Sequence, residues 1–152
     1  MEIKTLLEQR GLLIFDGAMG TQLQAKGLKT GETPELLNLT AKDLLKEIHR
    51  SYIDAGADII SANTFGANSY KLSHSGKSVD EIITAGIINC KEAIKESGKD
   101  VFCALDIGPI GQLLEPTGSL KFEEAYDIFK EEIVAGYKAC LLYTSPSPRD
   151  VE

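Results

Sequence analysis

The chain has 152 residues, of which 43% are hydrophobic and 26% are charged, as in an ordinary globular domain. Sixteen Lys and Arg against 23 Asp and Glu give a formal charge of −7, so we expect no nucleic acid or membrane partner and favour a small-molecule substrate. No apolar run reaches the roughly 18–20 residues of a membrane span, and the charged N-terminus lacks a signal-peptide core. The three cysteines are widely spaced, which predicts no disulfide framework and a cytoplasmic location.

The first half of the chain contains two predicted strands and one predicted helix. Residues 12–16, LLIFD, are an apolar run closed by a carboxylate, which is typical of a strand buried on both faces. Residues 40–57 carry apolar side chains at helical spacing, with Thr40 as the cap and Gly56 at the end. Residues 58–65, DIISANTF, then predict a second strand.

The same order of elements recurs in the second half. Residues 78–98 begin with a capping box, formed by Ser78 and Glu81, and predict a second helix. Residues 100–108, DVFCALDIG, predict a third strand. Residues 122–139 predict a third long helix with an apolar stripe that faces the core. The members of this stripe are Phe122, Tyr126, Phe129, Ile133 and Tyr137.

Strand, loop and helix therefore alternate three times, at intervals of roughly 45 residues, which predicts an α/β fold with a parallel sheet. The sheet is either doubly wound or part of a (β/α)8 barrel. The loops that follow the strands are DGAMGTQLQ, NTFGANSYKL and DIGPIGQLLEPTG. Both architectures carry functional residues in such loops, so we expect the site at the carboxyl end of the strands.

Polar residues at two strand ends are the candidate binding groups. A fixed carboxylate at Asp16 suits a cationic group such as a substrate ammonium. Gly17 lets the backbone approach a ligand, and its N–H suits a carboxylate. The pair therefore fits an amino acid, although Asp16 as a cap of the following turn is the alternative. Asn63 and Thr64 would add an amide and a hydroxyl to the same pocket, or serve as turn formers.

The histidines and cysteines predict neither a metal site nor a catalytic group. His49 is expected on a helix surface and His74 in a polar loop, and neither has a Cys or a second His at ligand spacing. Cys90 falls within an apolar helix stripe and Cys103 within a strand, so we expect both in the core.

Three segments taken together resemble one known family. The segments are FDGAMGTQLQ, HRSYIDAGADIISANTFGANSYKL and DIGPIGQLLEPTG. They resemble the homocysteine S-methyltransferase family, and within it the homocysteine-binding domain of the cobalamin-dependent methionine synthase branch. The resemblance covers residues 10–139, with Ser61 and Ala62 where the family often has Glu-Thr. It implies the N-terminal part, about three βα units, of a (β/α)8 TIM barrel.

The resemblance also implies a substrate and cofactors. In that family, zinc held by three cysteine thiolates binds the sulfur of homocysteine, and in this branch methylcobalamin, recharged by methyltetrahydrofolate, donates the methyl group. Asp16 would hold the amino group of homocysteine, and Gly17 and Thr64 would lie against its carboxylate. The family's zinc cysteines come from later strands, and none of the three cysteines here matches them. We therefore expect zinc and cobalamin in the full-length enzyme, with their binding residues outside this chain.

The last residues depart from the family pattern. Residues 140–150, CLLYTSPSPRD, replace the expected Gly-Ala-Asp turn and resemble one reading frame of a transposon-type sequencing adaptor. We expect a partial barrel over 1–139 and a non-native tail over 140–152. Such a chain is expected to be an inactive fragment of a methionine synthase. The alternatives are a fragment of a betaine- or S-methylmethionine-dependent homocysteine S-methyltransferase, and a non-catalytic amino-acid-binding fragment.

Overall fold

Helices and short parallel strands alternate along the chain. The structure, a computed structural model, describes residues 2–143, so most of the predicted tail, residues 144–152, lies outside the described residues. The helices and strands are α1 (Ile3–Arg10), α2 (Met19–Ala25), α3 (Leu37–Thr40), α4 (Lys42–Asp54), β1 (Ile59–Ser61), α5 (Ser69–Leu72), α6 (Val79–Ser97), β2 (Phe102–Ala104) and α7 (Phe122–Tyr143). A short 3-10 helix at Pro34–Leu36 lies between the helices α2 and α3.

The sheet is parallel as predicted, but all three predicted strands are shorter in the structure: 58–65 is reduced to β1, 100–108 to β2, and 12–16 to one bridge. β1 and β2 pair in parallel, with Ile60 opposite Cys103. The strand predicted over 12–16 joins them through a single parallel bridge between Phe15 and Ile59. Its side chains at Leu12, Ile14 and Phe15 are more than half exposed, because no described residue covers this edge of the sheet. Consecutive extended segments are therefore neighbours, and their carboxyl ends lie side by side.

Helix α6 forms as the sequence predicts. The Oγ of Ser78 accepts a hydrogen bond of 3.1 Å from the backbone N–H of Glu81, which satisfies one free amide of the first turn. Gly98 ends the helix in the left-handed conformation, with a φ of 66°. The apolar face of α6 lies at the centre of the main core, which also holds Cys90 as predicted. Local signals alone fix both ends of this helix.

Helix α4 differs from its prediction in two respects. Thr40 ends α3 and does not cap α4, which begins at Lys42. His49, expected on the surface, is fully buried. It lies four residues after Leu45 and four before Ile53, and both of those side chains face the core. The prediction for His49 is therefore wrong, because helical spacing decides its burial.

Helix α7 turns a different face to the core than predicted. Its small-residue face packs against α6, and its larger apolar side chains point outwards. Within the described residues, this outer face and Leu114 border a cavity of about 460 Å³. No described helix is long and apolar enough to cross a membrane. Four members of the predicted inward stripe are more than half exposed: Phe122, Tyr126, Ile133 and Tyr137. Among the described residues of α7, the buried ones are Ala125, Glu132, Ala135, Gly136 and Ala139.

Candidate functional site

The predicted binding residues meet in one cavity at the carboxyl ends of the parallel segments. The cavity has a volume of about 160 Å³ and is lined by Asp16, Gly17 and Thr64. Asp106, which follows β2, lines it as well. The chain segments that supply these residues are consecutive in the sheet, so their ends converge on one side. This is the end of the sheet at which the sequence predicts the site, and the cavity lies there.

Asp16 is held by the neighbouring strand. Its two carboxylate oxygens accept hydrogen bonds from the backbone N–H of Ser61 at 3.0 Å and from the Ser61 hydroxyl at 3.1 Å. Helix α2 has Ala18 at its N-cap and no side-chain cap, so Asp16 does not cap that helix. Burial raises the pKa of Asp16, the hydrogen bonds from Ser61 lower it, and the charge of Asp106 raises it again. Asp16 is thus a fixed, partly desolvated carboxylate, and it shares its cavity with the carboxylate of Asp106.

Gly17 leaves room for an aromatic ring beneath the loop. A Cβ at this position would lie 2.9 Å from the Tyr52 ring, which is closer than real side-chain contacts allow. The Tyr52 hydroxyl donates a 3.2 Å hydrogen bond to the carbonyl of Ala18, so α4 supports this loop directly. Among the described residues, the N–H of Gly17 has no hydrogen-bond acceptor. Space for the Tyr52 ring, rather than a left-handed backbone, favours glycine here.

The hydroxyl of Thr64 ties two loops together. It donates a 2.8 Å hydrogen bond to the carbonyl of Asp106 and accepts one of 3.1 Å from the N–H of the same residue. The side chain is fully buried. Because its only proton is used by Asp106, this hydroxyl cannot at the same time donate to a substrate carboxylate. Thr64 therefore contacts the cavity as a wall and fixes the loop after β2.

A buried network of amides supports the loop after β1. Asn38 donates to the carbonyl of Asn63 at 2.8 Å, and Asn63 donates to the side-chain oxygen of Asn38 at 2.9 Å. Asn63 also donates to the carbonyl of Pro34 at 2.9 Å, and Asn89 of α6 donates to the carbonyl of Asn38 at 2.9 Å. Asn63 lines the cavity, but its amide is directed away into this network. The network gives the site a rigid base.

Asp106 is the site residue that sequence reasoning missed. It follows the half-buried strand β2 in ALDIG, just as Asp16 follows the apolar run LLIF, and this parallel was the available signal. Burial raises the pKa of Asp106. Among the described residues, no Lys, Arg or His forms an ion pair with Asp16 or Asp106. The cavity therefore contains two carboxylates without a basic partner.

The described residues do not fit a zinc site. They contain no group of three or more His, Cys, Asp or Glu side chains that could hold a metal ion. Cys90 is buried in the core, and its hydrogen bond with Cys103, together with burial, raises the pKa of its thiol. Metal-binding cysteines are instead deprotonated thiolates. The zinc that the resemblance implies has no ligand set among the described residues.

A mixed α/β chain with an acidic cavity at the carboxyl ends of parallel strands has the architecture of an α/β enzyme domain. The sequence model of one family, described as homocysteine S-methyltransferase, matches residues 13–149. The chain belongs to the homocysteine S-methyltransferase family.

Two curated relatives are similar to part of the chain. The methionine synthase of Mycobacterium tuberculosis (strain ATCC 25618 / H37Rv) is 45% identical over 73 residues, which are 44% of this chain and 6% of that protein. The methionine synthase of Mycobacterium leprae (strain TN) is 47% identical over 68 residues, 41% of this chain and 6% of that protein. The chain thus spans about 6% of the length of these curated relatives.

The fold is similar to that of a solved homocysteine methyltransferase. The metallated form of MmuM from Escherichia coli matches with a TM-score of 0.78 and 19% identity, over 90% of this chain and 54% of that chain. Its apo form matches with a TM-score of 0.66 and 21% identity, over 90% and 48% of the two chains. At these identities the likeness concerns the fold.

Proposed function

We propose that this chain carries the amino-acid-binding part of a homocysteine S-methyltransferase and holds the α-ammonium of homocysteine at Asp16. The observation that carries the proposal is the Asp16 carboxylate, which lines the cavity, is oriented by two hydrogen bonds from Ser61 and has no basic partner among the described residues. A carboxylate fixed in this way accepts charge-assisted hydrogen bonds from an ammonium without reorganising.

The second charged group of the ligand has a matching place in the same cavity. The N–H of Gly17 has no acceptor among the described residues and lies next to Asp16 in the chain. A free backbone amide in a turn is a suitable donor to a carboxylate. Thr64 lines the same cavity. The ammonium and carboxylate of one amino acid would therefore be received by adjacent residues of one loop.

The complete reaction is proposed from the family and its relatives. In a methionine synthase, the methyl group of methylcobalamin, recharged by methyltetrahydrofolate, passes to zinc-bound homocysteine and gives methionine. Two relatives named methionine synthase, at 45% and 47% identity, favour this branch over betaine- or S-methylmethionine-dependent enzymes. The described residues would only bind and orient homocysteine, since they include no zinc ligand set. We expect no methyl transfer by this chain alone.

The proposal includes a domain assignment. Residues 1–139 would form the first three βα units of a (β/α)8 barrel, and residues 140–152 would be a non-native tail. Long-read sequencing of the source DNA across codon 139 tests this assignment. A reading frame that continues into a Gly-Ala-Asp turn, and later into a Cys and a Cys-Cys pair, would support it. If the codons for CLLYTSPSPRD are genomic, the assignment is wrong.

Homocysteine binding by the 152-residue chain tests the proposed function. In ligand-observed saturation-transfer NMR, we expect L-homocysteine to bind without zinc at roughly millimolar affinity, because only its two charged groups are recognised. Asp16→Asn keeps the shape of the side chain, removes its charge and should weaken binding about 10-fold. Asp127→Asn, an exposed change of the same charge on α7, is the matched control. Equal affinities of the Asp16 and Asp127 variants would contradict the proposal.

A further inference from the structure

Asp106 occupies the same cavity as Asp16 but comes from a different strand. Asp16 ends the segment bridged to one side of β1, and Asp106 follows β2 on the other side. Both residues line the cavity. None of the side chains that line it is a Lys, an Arg or a His. Two acidic groups thus face one small space from opposite edges of β1, with no basic group to neutralise them.

The backbone of Asp106 is held firmly, whereas its carboxylate is not used by the fold. The Thr64 hydroxyl binds both the N–H and the carbonyl of Asp106, at 3.1 and 2.8 Å. The N–H of Gly108 donates to the carbonyl of Phe65 at 3.0 Å, which fixes the same loop two residues later. Among the described residues, the side chain of Asp106 makes neither a hydrogen bond nor an ion pair. Its backbone has a structural role, and its carboxylate is available for a ligand.

The electrostatics of the cavity favour a ligand with a positive charge. Two carboxylates in a partly desolvated space repel each other, and the charge of Asp106 raises the pKa of Asp16. A cation between them relieves this repulsion. An alkylammonium carries three N–H donors, so it can donate to both carboxylates at once. An N-acylated amine carries no charge and has one donor, so it cannot replace the ammonium.

We propose that Asp106 is a second acceptor for the α-ammonium of the substrate, so that the site selects free α-amino acids over their N-acylated forms. Thr64 is the positioning residue that fixes Asp106 for this task. The inference rests on the proposed function, since it concerns the same cavity and the same ligand. It goes beyond the family resemblance, which assigns the amino group to Asp16 and brings Thr64 to the carboxylate.

Binding of two probes by matched variants tests the role of Asp106. The probes are L-homocysteine and N-acetyl-L-homocysteine, and the variants are Asp106→Asn, Asp106→Glu and the exposed control Asp127→Asn. Asp106→Asn keeps the backbone hydrogen bonds to Thr64, so the fold should persist, as circular dichroism will show. We expect its dissociation constant for homocysteine to rise about 10-fold over that of the control. The constant for the N-acetyl probe should not change.

The conservative variants separate a binding role from a structural one. Asp106→Glu keeps the charge and should retain most of the preference for the free amine. Thr64→Ser keeps the hydroxyl and should retain the preference as well. Thr64→Val removes both hydrogen bonds to Asp106 and should reduce the preference. If Asp106→Asn shows the same preference for the free amine as the wild type, the inference is wrong.

A second measurement tests the two carboxylates without a ligand. Carboxyl 13C NMR of the wild-type chain should show that Asp16 titrates at a higher pH than in the Asp106→Asn variant. An unchanged Asp16 titration would overturn the proposed pairing. If wild-type chain binds no homocysteine, both the proposed function and this inference fail. If Asp16→Asn weakens binding while Asp106→Asn matches the control, only this inference fails.

Discussion

Glu132 on α7 offers a sharp test of the energetics of this fold. The side chain is fully buried, and neither carboxylate oxygen has a hydrogen-bond partner among the described residues. Burial raises its pKa from the ordinary 4.5 to about 7, and the charge of Lys71 limits this rise. The folded chain therefore holds Glu132 protonated under mildly acidic conditions, and ionisation at higher pH opposes folding.

The size and the sign of this effect follow from linkage. Between about pH 4.5 and pH 7 the folded chain binds more protons at Glu132 than the unfolded chain does, so this residue lowers the free energy of unfolding as the pH rises. At about 1.4 kcal/mol per pH unit, the full cost above pH 7 is about 3 kcal/mol. Ordinary domains have only about 5–15 kcal/mol of stability, so the effect is measurable.

Urea unfolding of Glu132→Gln and of the wild type across pH 4.5 to 8 measures the stability cost of ionising Glu132. The variant cannot ionise, so its stability relative to the wild type should increase by about 3 kcal/mol from the lower to the upper end of this range. Asp127→Asn, which removes an exposed charge from the same helix, is the control and should change the pH dependence little. A difference between Glu132→Gln and wild type that stays constant with pH would refute the buried, protonated carboxyl.

Three further predictions follow from the same structure. Burial lowers the pKa of His49 to about 4. In a Glu132→Gln background, the free energy of unfolding should therefore fall by about 3 kcal/mol as the pH decreases from 6.5 to 4. Adding His49→Gln to that background should flatten this slope in urea titrations. Thr64→Val leaves the backbone groups of Asp106 unpaired and should cost about 1–3 kcal/mol in urea unfolding, whereas Thr64→Ser should cost less. The exposed apolar face of α7 should make the chain self-associate, and Ile133→Lys should shift its sedimentation profile towards the monomer.

Local sequence signals predicted some elements well and others poorly. The capping box of Ser78 and the glycine at Gly98 fix α6, because the groups that make these contacts are near in sequence. Residues 12–16 have the composition of a buried strand, but their pairing with β1 is limited to one bridge, between Phe15 and Ile59, and composition does not determine the extent of such pairing. Strand existence therefore depends on distant chain segments more than helix existence does.

The orientation of α7 shows what helical periodicity leaves undetermined. Large side chains such as Tyr126 and Ile133 form an apolar stripe, which predicted that face as the inner one. In the structure, the small residues Ala135 and Ala139 let α7 approach α6 closely, and the large ones remain exposed. Periodicity identifies the apolar faces of a helix, but the shape of its neighbour decides which face is covered.

Residues of the candidate site could be predicted from the sequence where their position at the end of a strand was enough to identify them. Asp16 and Gly17 stand at such an end and were predicted to line a cavity together with Thr64, as they do. Asp106 and Ser61 were missed because their roles depend on contacts across the sheet, to Thr64 and Asp16 respectively. A pairing between strands about 45 residues apart cannot be read from local spacing.

Chemical-shift mapping of homocysteine binding tests the central claim most directly. In 1H–15N correlation spectra of the labelled chain, L-homocysteine should shift the amides of Gly17, Ser61 and Asp106, which surround the cavity. The amides of the charged cleft between α4 and α6, such as Lys46 and Glu96, should stay in place. Shifts confined to that cleft, or no saturable shifts at the cavity, would contradict the assignment of homocysteine to Asp16.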